Sequence, residues 1–178
     1  PMMEIGILGG TGPAGKALAA RLASVGLDLV IGSRDRYRAM EACDGLIERW
    51  GDRQLSIRPA DNVGAAAAEV VVIATPWDAA AETARSVARH LRGKVVVCMS
   101  NAIALVAGEF QPLVPPRGSV SASVQAELRD AYVAAAFHHV PATELGNLDH
   151  DLASDILICS DHQRATVTVS EIVREIPG

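Results

Sequence analysis

The sequence predicts an α/β fold, a doubly wound and mostly parallel sheet with additional strands toward the C-terminus. Three observations predict it. Short β-branched runs alternate with segments of helical periodicity, a glycine cluster follows the first run, and the core-forming residues are aliphatic. The chain has 178 residues, enough for a single domain with a sizeable core. Its residues are 49% hydrophobic but only 3% aromatic, so helices must pack on the sheet through Ala, Val, Leu and Ile.

Met3 to Leu8 is the first apolar strand, and Ala14, Leu18, Leu22 and Val25 then recur at helical spacing until Gly26 stops the helix. Leu27 to Ile31 reads as the second strand, Arg36 to Trp50 as a helix, and Leu55 to Pro59 as a short third strand. Val70 to Ala74 is the fourth strand. Thr75 and Asp78 form a capping-box pair with Pro76 at the first helical position, which predicts a helix to about His90. Val95 to Cys98 is the fifth strand. Ser100 to Gly118, holding Pro112, Pro115 and Pro116, reads as a long irregular connection. Ser121 to Arg129 follows as a helix, Tyr132 to Phe137 and Ile156 to Cys159 as strands, and Gln163 to Glu175 as the last helix.

Composition excludes several functions. A net charge of -5 offers no general footprint for nucleic acid or an anionic membrane, so neither is an expected partner. The apolar stretches are broken well short of a membrane span. Cys43, Cys98 and Cys159 lack metal-type spacing and are expected as small core or near-core thiols of a reducing, cytoplasmic compartment, with no metal site.

The segment Gly10-Thr11-Gly12-Pro13-Ala14-Gly15 spells G-x-G-x-x-G between a strand and a helix, the context in which a helix N-terminus faces a pyrophosphate. This makes residues 1–99 the core of a Rossmann-type dinucleotide-binding fold. NAD sites usually carry an acidic residue about 20 positions on, at the end of the second strand, whereas this chain has Gly32-Ser33-Arg34. A hydroxyl and a guanidinium suit a 2′-phosphate, and Arg36 and Arg38 add positive charge, so NADP is expected over NAD. Asp35 lies past the strand end, where it can equally start the next helix.

Tyr-x-x-x-Lys chemistry is unsupported: Tyr37 and Tyr132 lack a lysine four residues on, and the only lysines are Lys16 and Lys94. No lysine acid or base is therefore available in the second half, and carbonyl reduction would have to rely on histidine. His138 and His139 follow an apolar strand at its C-terminal end, the ligand side of an open parallel sheet. Alternation lets only one of them face a given crevice, and His138 is the candidate. His90, His150 and His162 are expected at the surface.

Several segments together resemble a known family. They are Ile7-Leu8-Gly9-Gly10-Thr11-Gly12 with Gly15-Lys16, Ile31-Gly32-Ser33-Arg34, Thr75-Pro76-Trp77-Asp78, Ala136-Phe137-His138-His139-Val140-Pro141-Ala142 and Asp155 to Asp161. The chain is similar over nearly its whole length to the NADPH-dependent reductases of coenzyme F420, the F420H2:NADP oxidoreductases. It resembles actinobacterial members most through Ser100-Asn101-Ala102 and Pro115 to Ser119. The resemblance implies reversible hydride transfer between NADP(H) and the deazaflavin F420 in a homodimer, with no catalytic residue and catalysis by positioning the two rings. NADP would lie along Gly10, Thr11, Gly12, Pro13, Ala14, Gly15, Ser33, Arg34, Arg38, Thr75, Pro76, Trp77, Asn101 and Ala102. His138, Val140 and Pro141 would line the F420 side, within a sheet extension over residues 100–178. Family members continue a few dozen residues beyond the equivalent of Gly178, so that extension is expected to be shortened. Two alternatives stay open: an NADPH-dependent reductase of flavin, ferric iron or a small carbonyl, and a non-catalytic NADP-sensing module.

Overall fold

The computed structural model describes residues 2–178. Six strands form one sheet in the order β3-β2-β1-β4-β5-β8, and every ladder in it is parallel. They are β1 (Glu4–Leu8), β2 (Asp28–Ser33), β3 (Ile57–Asp61), β4 (Val70–Ile73), β5 (Val95–Cys98) and β8 (Tyr132–Ala135). The chain winds outward from β1 to β3, then returns to place β4 on the other side of β1. That reversal opens a crevice above the C-terminal ends of β1 and β4, where such sheets bind ligands.

Period-two alternation sorts the strand side chains into two cores. Ile5, Ile7, Leu29, Ile31, Val70, Val72, Val95 and Val97 pack with α1 (Pro13–Ser24), α2 (Arg36–Arg49) and α7 (Gln163–Arg174). Leu8, Val30, Val71, Ile73, Val96 and Cys98 pack on the opposite face with α3 (Asn62–Ala66), α4 (Ala80–Ser86) and α5 (Val120–Glu127). The two-layered core of small aliphatics is as composition predicts.

Several expectations are corrected. The helix expected from Pro76 to His90 is broken into a 3-10 turn at Trp77–Ala79, α4, and a second 3-10 turn at Ala88–His90. The Thr75 hydroxyl caps nothing, and the Ser86 hydroxyl takes the Thr83 carbonyl at 2.7 Å, a side-chain bond that competes with helix continuation. Residues 100–118 are not wholly irregular: β6 (Ile103–Val106) and β7 (Glu109–Pro112) pair antiparallel. Ala107 and Gly108 turn this hairpin with φ of 51° and 84°, the two positive values of a type I′ loop. The expected strand at Ile156–Cys159 shrinks to a single antiparallel bridge between Ala135 and Cys159, because Leu157 would next face Phe137, whose φ of 60° turns the chain out of the strand, while beyond the bridge Ser160 Oγ donates to the Val133 carbonyl at 2.6 Å. Cys159 is exposed, unlike buried Cys43 and Cys98. His162 is half-buried, bonded to Gln125 and stacked edgewise on Tyr132.

The short helix α3 has no counterpart in the sequence reading. Asp61 caps it, accepting from the Gly64 amide at 2.7 Å. Its Ala65 lies so close to β2 that a methyl at Gly32 would stand 2.7 Å from the Ala65 Cβ. Gly32 is thus the packing glycine that seats α3 under the strand end carrying Ser33 and Arg34.

Candidate functional site

The site begins where β1 runs into the glycine turn. Gly9 takes a φ of +65°, and the Gly10 amide donates to the Gly32 carbonyl at 2.9 Å, tying the turn to the end of β2. A methyl at Gly15 would stand 2.7 Å from the Gly10 Cα, so this glycine is what lets α1 start flush against the turn. Around Gly12 the space is open, with no atom within 4 Å of an added Cβ. Helix α1 starts after Gly12 with no side-chain cap. Pro13 has no N–H, and the first amide to bond back within the helix is that of Lys16, to Gly12 O at 3.0 Å. The Ala14 and Gly15 amides are therefore donors aimed at whatever sits over Gly12, with the positive end of the helix dipole behind them.

Beside this turn, Ser33 is buried and its Oγ accepts from the Asp35 amide at 3.2 Å. Asp35 in turn caps α2, its Oδ1 accepting from the Tyr37 amide at 2.9 Å. Arg34, Arg36 and Arg38 are exposed, and none makes a salt bridge among the described residues. The sequence reading missed Asn62, whose Oδ1 accepts from the Gly9 amide at 3.3 Å. The Asp61-Asn62-x-Gly64 cluster, a turn and capping composition, is the signal that could have found it.

The other half of the site is built on β4, β5 and β8. Ser100 Oγ donates to the Thr75 carbonyl at 2.6 Å, and Asn101 Nδ2 donates to the His138 carbonyl at 3.1 Å, so the three strand ends are stitched together. Phe137 holds a left-handed φ of 60°, costly for an aromatic residue, and so turns His138 out of the strand direction. His139 points elsewhere, with Nε2 on the Asp155 carbonyl at 2.7 Å. Thr75 Oγ1 and His138 Nδ1 are buried with no hydrogen-bond partner. Orphaned polar atoms at the C-terminal edge of a sheet fit a site that completes its hydrogen bonds with a polar ligand. Trp77 is half-buried against the α4 face, Pro76 and Pro141 are exposed, Ala102 is buried, and Val140 packs on the α1 face.

One residue joins the halves. Arg21 of α1 is 3% exposed, and its guanidinium donates to the carbonyls of Leu145 (2.8 Å), His150 (3.0 Å), Glu144 (3.2 Å) and Asn147 (2.8 Å). These carbonyls end α6 (Ala142–Leu145) and the turn after it, directly downstream of Val140 and Pro141. The sequence reading treated α1 as amphipathic around its aliphatic residues and did not single Arg21 out.

Burial, with His139 adding a smaller push, holds the His138 pKa below the ordinary histidine value. The folded chain thus binds this proton less readily than the unfolded chain. His138 costs nothing above about pH 6.5, where both states are neutral. Below that, stability falls with pH until the folded form titrates too. His138→Gln is expected to flatten the acid limb of Tm measured against pH. An acid limb of unchanged slope would show that this histidine does not set it.

Residues 4–102 match the family model described as NADP oxidoreductase, coenzyme F420-dependent. The chain is 34% identical over 184 residues to the F420-dependent NADP reductase of Methanocaldococcus jannaschii, covering 99% of this chain and 81% of that one. The chain belongs to this family. The F420-dependent NADP reductase of Methanothermobacter thermautotrophicus is 33% identical over 182 residues, covering 99% of this chain and 78% of that one. A solved structure from Arthrobacter sp. FB24 superposes with a TM-score of 0.78 at 21% identity, covering 98% of this chain and 80% of that one, which supports the fold of this F420-dependent family member.

Proposed function

We propose that this chain transfers a hydride reversibly between NADP(H) and coenzyme F420. The carrying observation is the match of 99% of this chain to F420-dependent NADP reductases, which takes in both the glycine turn and the His138 segment. The geometry supports a division of labour. Gly10 to Gly15, with the free amides of Ala14 and Gly15, would hold the NADP pyrophosphate, while Ser33, Arg34 and Arg38 take the 2′-phosphate. Thr75, Pro76, Trp77, Asn101 and Ala102 would line the way to the nicotinamide, and His138, Val140 and Pro141 the deazaflavin.

The two cofactors themselves carry the redox chemistry, nicotinamide and deazaflavin exchanging a hydride when both are bound. What the protein contributes is placement. The Asn101 to His138 and Ser100 to Thr75 hydrogen bonds fix the strand ends relative to one another. Neutral His138 offers a hydrogen bond without adding a charge, and a hydride arriving at carbon needs no proton there from a thiol or carboxylate.

Mixing the protein with NADPH and F420 should bleach the deazaflavin absorbance. Turnover with flavin or ferric iron but not F420, in a preparation that binds NADPH, would overturn the acceptor assignment. Among the described residues no helix is long and apolar enough to cross a membrane. We further propose that the enzyme works in the cytoplasm as a homodimer, with small-molecule cofactors as its other partners.

A further inference from the structure

The hairpin of β6 and β7 stands off the sheet with nothing beneath it. Its pairs Ile103–Pro112 and Leu105–Phe110 share one face, and Ala104–Gln111 and Val106–Glu109 share the other. The first face is entirely apolar, yet Ile103 is 42% exposed, Leu105 65% and Phe110 78%. Just beyond β7, Leu113 and Val114 extend the same apolar exposure, Val114 at 84%. The ribbon is anchored at its base, where the Leu113 amide donates to Ala102 O at 2.8 Å and the Ile103 amide to Asn101 O at 3.0 Å. A two-stranded ribbon is marginal in water unless its apolar face is covered.

The size and chemistry of the patch limit what covers it. Its exposed side chains offer on the order of 600 Å², the top of the range for the largest patch a monomer leaves bare and approaching one partner's share of a stable interface. Glu109 is the one ionisable residue from 103 to 114, and it lies on the other face. A partner chosen by charge would have nothing to read there, and an anionic membrane would find no basic side chain. An uncharged apolar face is, by contrast, complementary to itself, as a two-fold contact requires.

We infer that the hairpin's apolar face is the contact surface of the homodimer, packing against the same face of a second copy. This rests on the homodimer proposed above. The surface begins at Asn101 and Ala102, so the contact would also brace the strand ends of the candidate site.

The test is the solution mass of the full chain by light scattering, for wild type and for the double variant Leu105→Glu with Phe110→Glu. Both positions are exposed in the single copy, so the variant should fold and bind NADPH within about twofold of wild type. Burying two carboxylates per copy at the centre of the contact should raise the dimer dissociation constant at least about 100-fold, leaving a monomer at micromolar concentration. A wild-type dimer that the double variant leaves intact would overturn the surface and spare the dimer. A wild type that stays monomeric at tens of micromolar would overturn both.

Discussion

Arg21→Met is expected to destabilise the protein by on the order of 3 kcal/mol, because it keeps the apolar stem and removes the guanidinium that donates to four carbonyls. The Glu144 and Asn147 carbonyls also accept the Asn147 and His150 amides at 3.3 and 3.4 Å, whereas those of Leu145 and His150, at the end of α6 and of the turn after it, have Arg21 as their donor. A cation at that helix end also opposes the negative end of its dipole. Burial lowers the Arg21 pKa, with Asp151 and Glu144 opposing the shift and Arg53 adding to it, and a guanidinium so far above neutral stays protonated in its pocket of backbone oxygens. Removing it strands acceptors that water reaches poorly, which is costlier than losing a surface ion pair. At roughly 2–4 °C per kcal/mol for a chain of this size, Tm should fall by about 6–12 °C. Arg21→Lys, which can reach one or two carbonyls, should fall between. A methionine variant within about 0.5 kcal/mol of wild type would mean that the 144–150 turn holds itself, since surface changes lie in that range.

That knot also marks the boundary of what could be read from sequence. Local signals carried the parallel sheet, because Val70 to Ile73 and Val95 to Val97 are uninterrupted β-branched runs of the kind a strand buried on both faces accommodates. The glycine turn was equally legible, since each glycine answers a local steric demand. Arg21 was not legible, because its partners lie more than 120 positions away and are backbone atoms with no sequence signature. Asn62 was hidden for a related reason, acting through one carbonyl on a helix of five residues too short to show periodicity. The hairpin was missed because Ala107, rather than Asn or Gly, fills the first left-handed turn position. The roles given to Ser33, Arg34 and His138 came from motif and resemblance, and the fold brings these residues to the same edge of the sheet without showing what they hold.

Arg34→Ala is expected to weaken NADPH binding by on the order of 1.5–3 kcal/mol, the range for a hydrogen bond to a charged group, which is about 10- to 150-fold in Kd. The local geometry makes the case. Ser33 ends β2 at the position where NAD enzymes place a carboxylate, and its buried hydroxyl accepts from the Asp35 amide while its own proton remains free to donate. Two carboxylates lie nearby, and both are engaged as helix caps: Asp61, opposite Ser33 on β3, accepts from the Gly64 amide of α3, and Asp35 accepts from the Tyr37 amide of α2. Arg34, between Ser33 and Asp35, is exposed and without an acidic partner, so its guanidinium loses no competing ion pair when it turns to a phosphate. NADH, lacking that phosphate, should bind wild type and variant alike. Arg34→Lys should recover part of the loss, keeping the charge but not the two-pronged geometry, and the gap between wild type and alanine should narrow as salt rises. Titration of all three proteins with NADPH and NADH decides it. Equal NADPH affinity in wild type and the alanine variant would remove the 2′-phosphate from this strand end.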